Sequence, residues 1–152
     1  MAATMTEPQA VQTMEIRKEE FVEAPIDITF QAMLDELGPE GRMPDGKSLS
    51  MKLEAWPGGR WFRDLGNNTG HLWGHVQVIK PPTLLEISGP MFMSYPGVNH
   101  IAYRLKAEGK TTVLTLRHRG FGLIEEEHLQ GVQMGWGQIV ERIAKAAAAK
   151  RK

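Results

Sequence analysis

The stretch "TGHLWGH" places His71 and His75 four residues apart around Trp73. On a helix that spacing sets two imidazoles one turn apart, close enough to share a metal ion. On a strand the same two rings share a face but lie about 13 Å apart, at about 3.3 Å per residue. Nitrogens that bind a metal at about 2 Å cannot span that gap. The secondary structure therefore decides the chemistry. His118, in "TVLTLRHRG", alternates with Leu114 and Leu116 and so faces inward near a strand end. There it could orient a ligand carbonyl or hydroxyl, or move a proton. The alternative is a histidine bonded to nearby backbone for structural reasons. Glu125, Glu126 and Glu127 read as solvated acids at a helix start, with a general base as an outside reading. The serines at 48, 50, 88 and 94 sit in no nucleophile elbow, and no GxSxG or GxxxxGK motif occurs. A catalytic signature is lacking, so the chain is more plausibly a binding domain than an enzyme.

The elements that must position these residues follow from periodicity. "MEIRKEEFV", from Met14, reads as a first strand, and "APIDITFQAMLDEL" as a short amphipathic helix opened by Pro25. The Gly- and Pro-dense "GPEGRMPDGKS" is a loop with room for a further helical turn. From Leu49 the period becomes two. "LSMKLEA", "RWFRDL", "HLWGHVQVI", "TLLEIS", "NHIAYRLKA" and "TTVLTLRHRG" form six strands separated by turn signals, an antiparallel sheet. In the third of these, His71, Trp73 and His75 form one alternating set, and Leu72, Val76 and Val78 the other. "HLWGH" is thus strand, and no metal is expected. The last segment runs from acids to bases, matching the helix dipole, with a stripe at Val132, Trp136, Ile139, Ile143 and Ala147. Gly131, Gly135 and Gly137 each cost that helix up to about 1 kcal/mol relative to Ala. They imply close approach to a neighbour, or a bend, near Trp136.

Composition bounds the function. The 152 residues suit one domain, with 41% hydrophobic and 24% charged residues. Eighteen basic and eighteen acidic side chains cancel, which argues against a nucleic-acid-binding module. Cysteine is absent, so thiolate nucleophiles, disulfides, zinc–thiolate sites and iron–sulfur clusters are excluded. No secretory signal or membrane-spanning run is visible, and the expected setting is cytoplasmic. Residues 1–13 read as a disordered tail, 14–149 as one domain, and 150–152 as a basic tail.

Several motifs carry a family resemblance. "LTLRHRGF", then an acidic helix start, a histidine and "GWGQIVERI", resemble the C-terminal half of activator-of-heat-shock-protein-90-ATPase-like domains. "WPGGRWF" and "GHVQVIKPPTLLEI" are similar to that family's paired-strand segments. The resemblance covers roughly residues 14–147 and matches His118 and Trp136; the spacing from His128 to Trp136 departs from the family's. It implies an α+β, START-like helix-grip fold: about seven curved antiparallel strands around a long C-terminal helix, with one or two short helices after strand 1. It implies a cavity between sheet and helix but no single activity, since relatives include cyclases, lipid carriers and co-chaperone domains.

The expected ligand-contacting residues are Met51, Leu53, Trp61, Trp73, Met91, Met93, Tyr103, Leu116, His118, Val132 and Trp136. Trp56 and Phe62 add to the aromatic count, and methionine suits a site that adapts to a guest. The favoured expectation is a small hydrophobic ligand with no cofactor. The alternatives are a co-chaperone-like surface for a protein partner ATPase, and a cyclase or hydrolase using His118. Apolar "GPMFMSYPG" would be a lid, a homodimer contact or a membrane-touching loop.

Overall fold

Strand alternation in β1 (Gln12–Val22) buries Met14, Ile16 and Val22 and leaves Glu15, Arg17 and Glu19 outside. The structure, a computed structural model, describes residues 2–5 and 7–151. Met1 and Thr6 of the expected leading tail, and Lys152 of the basic tail, lie outside the described residues. β1 starts two residues before the expected boundary. After it, Pro25 opens α1 (Ile26–Leu37), which buries Phe30, Met33 and Leu37. The loop that follows contains no second helix; it is closed by an isolated bridge between Arg42 and Ser48.

Six more strands follow: β2 (Met51–Leu53), β3 (Arg60–Gly66), β4 (Thr69–Lys80), β5 (Leu84–Gly89), β6 (Gly97–Glu108) and β7 (Thr111–Gly122). They make one antiparallel sheet in the order β1-β7-β6-β5-β4-β3-β2. The chain closes with α2 (Glu126–Lys150), which packs against α1 and β1. This is the helix-grip arrangement, seven strands wrapped on one long terminal helix. β2 is shorter than the expected strand because Ser50 takes a positive φ of 58°, which ends the ladder. Asn67 and Asn68, at φ of 52° and 58°, supply the tight turn between β3 and β4.

The helix stripe is rotated slightly from the expected one. Val132, Trp136, Val140, Ile143 and Ala147 are buried, while Ile139 is only partly covered. Ile143 is fully buried among the core side chains of α2 and the sheet. Ile143→Ala should therefore cost roughly 2–5 kcal/mol of unfolding free energy. Urea denaturation followed by circular dichroism measures that loss.

Candidate functional site

β4 carries two extra residues that reset which side chains face inward. In the pairing with β3, Trp61 opposes Gly74 and Phe62 opposes Leu72, so Trp73 is the additional residue of a bulge. A second shift, at Gln77, occurs against β5. Cross-strand partners share a face. Leu72 and His75 pair with Phe62 and Arg60, which stand together with the guanidinium 4.5 Å over the Phe62 ring. Leu72 and His75 are accordingly both exposed. His71 is instead on the inner side, its ring 6.4 Å from that of buried Trp73. The alternation expected from the sequence fails here, and the two histidines lie on opposite faces. Among the described residues no cluster of three or more metal-ligating side chains occurs.

The bulge turns Trp73 toward α2, where a cleft of about 410 Å³ opens. Its walls are Trp73, Phe92, Val132, Trp136 and Ile139, with Glu127 and His128 at the rim. The ring contacts run continuously through it: Trp73 to Phe92 at 5.6 Å, and Phe92 to Trp136 at 6.5 Å. The segment between β5 and β6 covers one side. Met91 and Met93 tuck into the core, while Phe92 and Tyr95 remain partly exposed. The Tyr95 hydroxyl meets His128 Nδ1 at 2.9 Å and joins this flap to the first turn of α2.

Gly131 and Gly135 also line the cleft. A Cβ added at either would meet nothing within 4 Å. Of the two expected reasons for glycine here, a close approach or a bend, the close approach does not hold at Gly131 and Gly135, which face open space. Their effect is to widen the cleft where larger side chains would fill it.

Beneath the cleft, His118 is fully buried in the rung Ile16–His118–Ile101–Ile87 rather than placed at a mouth. Trp136 Nε1–H donates to His118 Nδ1 at 2.8 Å. That leaves the ring proton on Nε2, which meets Asn99 Oδ1 at 2.7 Å. Asn99 Nδ2 in turn donates to the Pro90 carbonyl at 3.3 Å. Burial pushes the His118 imidazole down to a pKa of about 4. Gly120 is required beside this relay, because any Cβ there would collide with the Asn99 side-chain oxygen.

Three of the eleven residues named from sequence line the cleft: Trp73, Val132 and Trp136. Met51, Trp61, Met91, Met93, Tyr103, Leu116 and His118 are buried, and Leu53 is partly buried, in the packing around it. Trp56, by contrast, is exposed in the turn before β3. Sequence reasoning did not single out Phe92 or the two glycines as wall residues. The signal was present in both cases: an aromatic inside an apolar loop, and glycines spaced four apart within a helix.

The model of the family described as Activator of Hsp90 ATPase homolog 1-like protein matches residues 46–148, more than half of the chain. The chain belongs to that family. Solved structures share the fold. CalU16 from Micromonospora echinospora is 23% identical, with 90% of this chain and 81% of that one covered and a TM-score of 0.61. A Rhizobium leguminosarum protein is 15% identical, with coverage of 95% and 100% and a TM-score of 0.71. DynU16, a protein of the dynemicin biosynthetic locus, is 18% identical with a TM-score of 0.60. There 86% of this chain matches 46% of the other. A search of curated proteins gave no match. No helix among the described residues of this family domain is long and apolar enough to cross a membrane.

The relay makes acid a specific threat. In the unfolded chain a histidine titrates near 6.5, whereas folded His118 titrates near 4. Above pH 6.5 neither state holds the proton and the relay's stabilisation is complete. As pH falls from about 6.5 to 4 the unfolded state gains a proton that the folded state refuses, so stability falls. Between pH 7 and 5 the loss from His118 should reach about 2 kcal/mol. Urea unfolding at the two pH values measures it, and the His118 ring should retain neutral carbon shifts at pH 5 by NMR.

Proposed function

We propose that the domain binds a small, mostly apolar molecule in the cleft between α2 and the flap over β5 and β6. The observation that carries this reading is the pair Gly131 and Gly135. Each costs the helix up to about 1 kcal/mol relative to Ala, yet neither makes room for another part of the protein. A helix that gives up stability to hold a hydrophobic hollow open fits a guest better than it fits packing. The cleft's size lies within the usual range for ligand pockets, about 300–1,000 Å³.

His118, both of whose nitrogens are already engaged, is not a polar handle in this reading. The Trp73 Nε1–H is buried without an acceptor and out of a guest's reach, so recognition in the cleft is by apolar and aromatic contact. A guest with an aromatic body would stack against Phe92 and Trp136. The same engagement of His118 removes the basis for a cyclase or hydrolase acting through it. The burial of Met91 and Met93 leaves no bare methionine patch in the flap to favour a partner ATPase.

The test uses N-phenyl-1-naphthylamine, a neutral aromatic dye, as the guest. Saturable fluorescence enhancement is expected. Gly135→Leu should weaken it at least about tenfold by filling the cleft, while raising the urea midpoint through better helix propensity. Unchanged dye affinity in that stabilised variant would sink the proposal.

A further inference from the structure

The sheet face turned away from the helices carries an arrangement of charge that the cleft does not use. Along the regular ladder of β1, β7, β6 and β5, one outward rung reads Arg17, Arg117, Ala102, Glu86. The flanking rungs place Arg119 beside His100, and Thr115 beside Arg104. Arg17 and Arg117 are direct cross-strand partners, a like-charge pairing that destabilises a sheet unless something anionic intervenes. Of the nearby acids, Glu15 and Glu86 are engaged, and Glu19, across from Thr115, points out into solvent. Glu15 accepts from Arg117 Nε at 2.7 Å, and Glu86 meets His100 Nε2 at 2.7 Å. Among the described residues, Arg17, Arg104 and Arg119 have no ion-pair partner.

The centre of the group is hollow. Ala102 points outward yet is buried, because longer side chains on every side rise over it. They enclose a recess of about 110 Å³. A second hollow, lined in part by Val98 and Phe121, shares Arg119 and His100 with it. Val98 and Phe121 face each other across β6 and β7, and both are exposed.

We infer that this recess is a binding site for a phosphate group carried on an apolar body. Planar guanidinium forks match phosphate oxygens in paired hydrogen bonds. Three unengaged arginines around a floor as small as alanine supply both the charge and the room. The adjoining Val98 and Phe121 would take the ester's organic part. The site lies on the opposite face of the sheet from the cleft and does not depend on the cleft's being occupied.

Phenyl phosphate and inorganic phosphate are the probes, titrated into the whole chain and followed by NMR of the arginine Nε–H groups. Saturable shifts at Arg17, Arg104 and Arg119 are expected. The double variant Arg17→Gln, Arg104→Gln should weaken phenyl phosphate at least about tenfold. Both positions are exposed, so an unchanged thermal melt will confirm that the variant folds. Phe121→Ser should weaken phenyl phosphate but not inorganic phosphate. Phosphatidylcholine vesicles with and without phosphatidic acid separate the two sources of such a group. Sedimentation only with phosphatidic acid, reversed by phenyl phosphate, assigns a lipid headgroup. Binding of phenyl phosphate without sedimentation assigns a soluble ester. Absence of saturable shifts, or equal affinity in the double variant, overturns the inference.

Discussion

A one-way chain of hydrogen-bond donors holds the site together: Trp136 to His118, His118 to Asn99, and Asn99 to the Pro90 carbonyl. It joins the terminal helix, two central strands and the flap through groups that have lost their water. Each member fixes the next. The indole N–H dictates the imidazole tautomer, the imidazole dictates the orientation of the Asn99 amide, and the amide anchors the start of the flap. A buried chain of this kind is rigid when complete and costly when one partner is removed. Tethered by its nitrogen from below, the Trp136 ring serves as a fixed wall, although a tryptophan beside a cavity would otherwise have two torsions to explore. The indole N–H of Trp73, equally buried, has no such partner.

The second governing feature is where the terminal helix concedes packing. Its C-terminal half is dense with alanine and buries Ile143 and Ala147 against the fold. The N-terminal half carries the glycines and the cleft. One helix thus does two jobs along its length: the later turns secure it, and the earlier turns shape a void. The flap's link to that half, Tyr95 to His128, sits at the exposed rim, unlike the buried anchor at Pro90. The flap is therefore fixed at its origin and held more lightly at its mouth.

Much of this was legible in the sequence, and the failures share one cause. β6 and β7 alternate without interruption, so their buried faces followed from period two, including the inward placement of His118. The number and order of strands followed from turn chemistry. β4 could not be read in this way, because a bulge is a property of pairing rather than of one strand's composition. Nothing in "HLWGH" shows that Trp73 is left unpaired opposite β3. That single extra residue puts His71 and His75 on different sides and brings Trp73 to the cleft. The aromatics were likewise identified by type but not by place: Trp56 is exposed in a turn, and Trp61 is tied by its Nε1–H to the Leu37 carbonyl at 2.8 Å. The glycines in α2 were noticed, but a missing side chain looks the same in sequence whether it admits a neighbour or leaves space.

The order of the sheet has a further consequence for how copies of the chain meet. Its two margins are β1 and β2. An unpaired margin is a template on which another polypeptide can add itself, the route to fibrous association. Here β2 offers only three residues, with Lys52 held to Asp64 on its outward side. β1 offers eleven, but α2 packs along it, and Arg151 reaches across to the Glu23 carbonyl. The longer margin is flanked by the helix and the shorter is brief and charged, so neither offers a long bare edge of the kind that recruits a further strand.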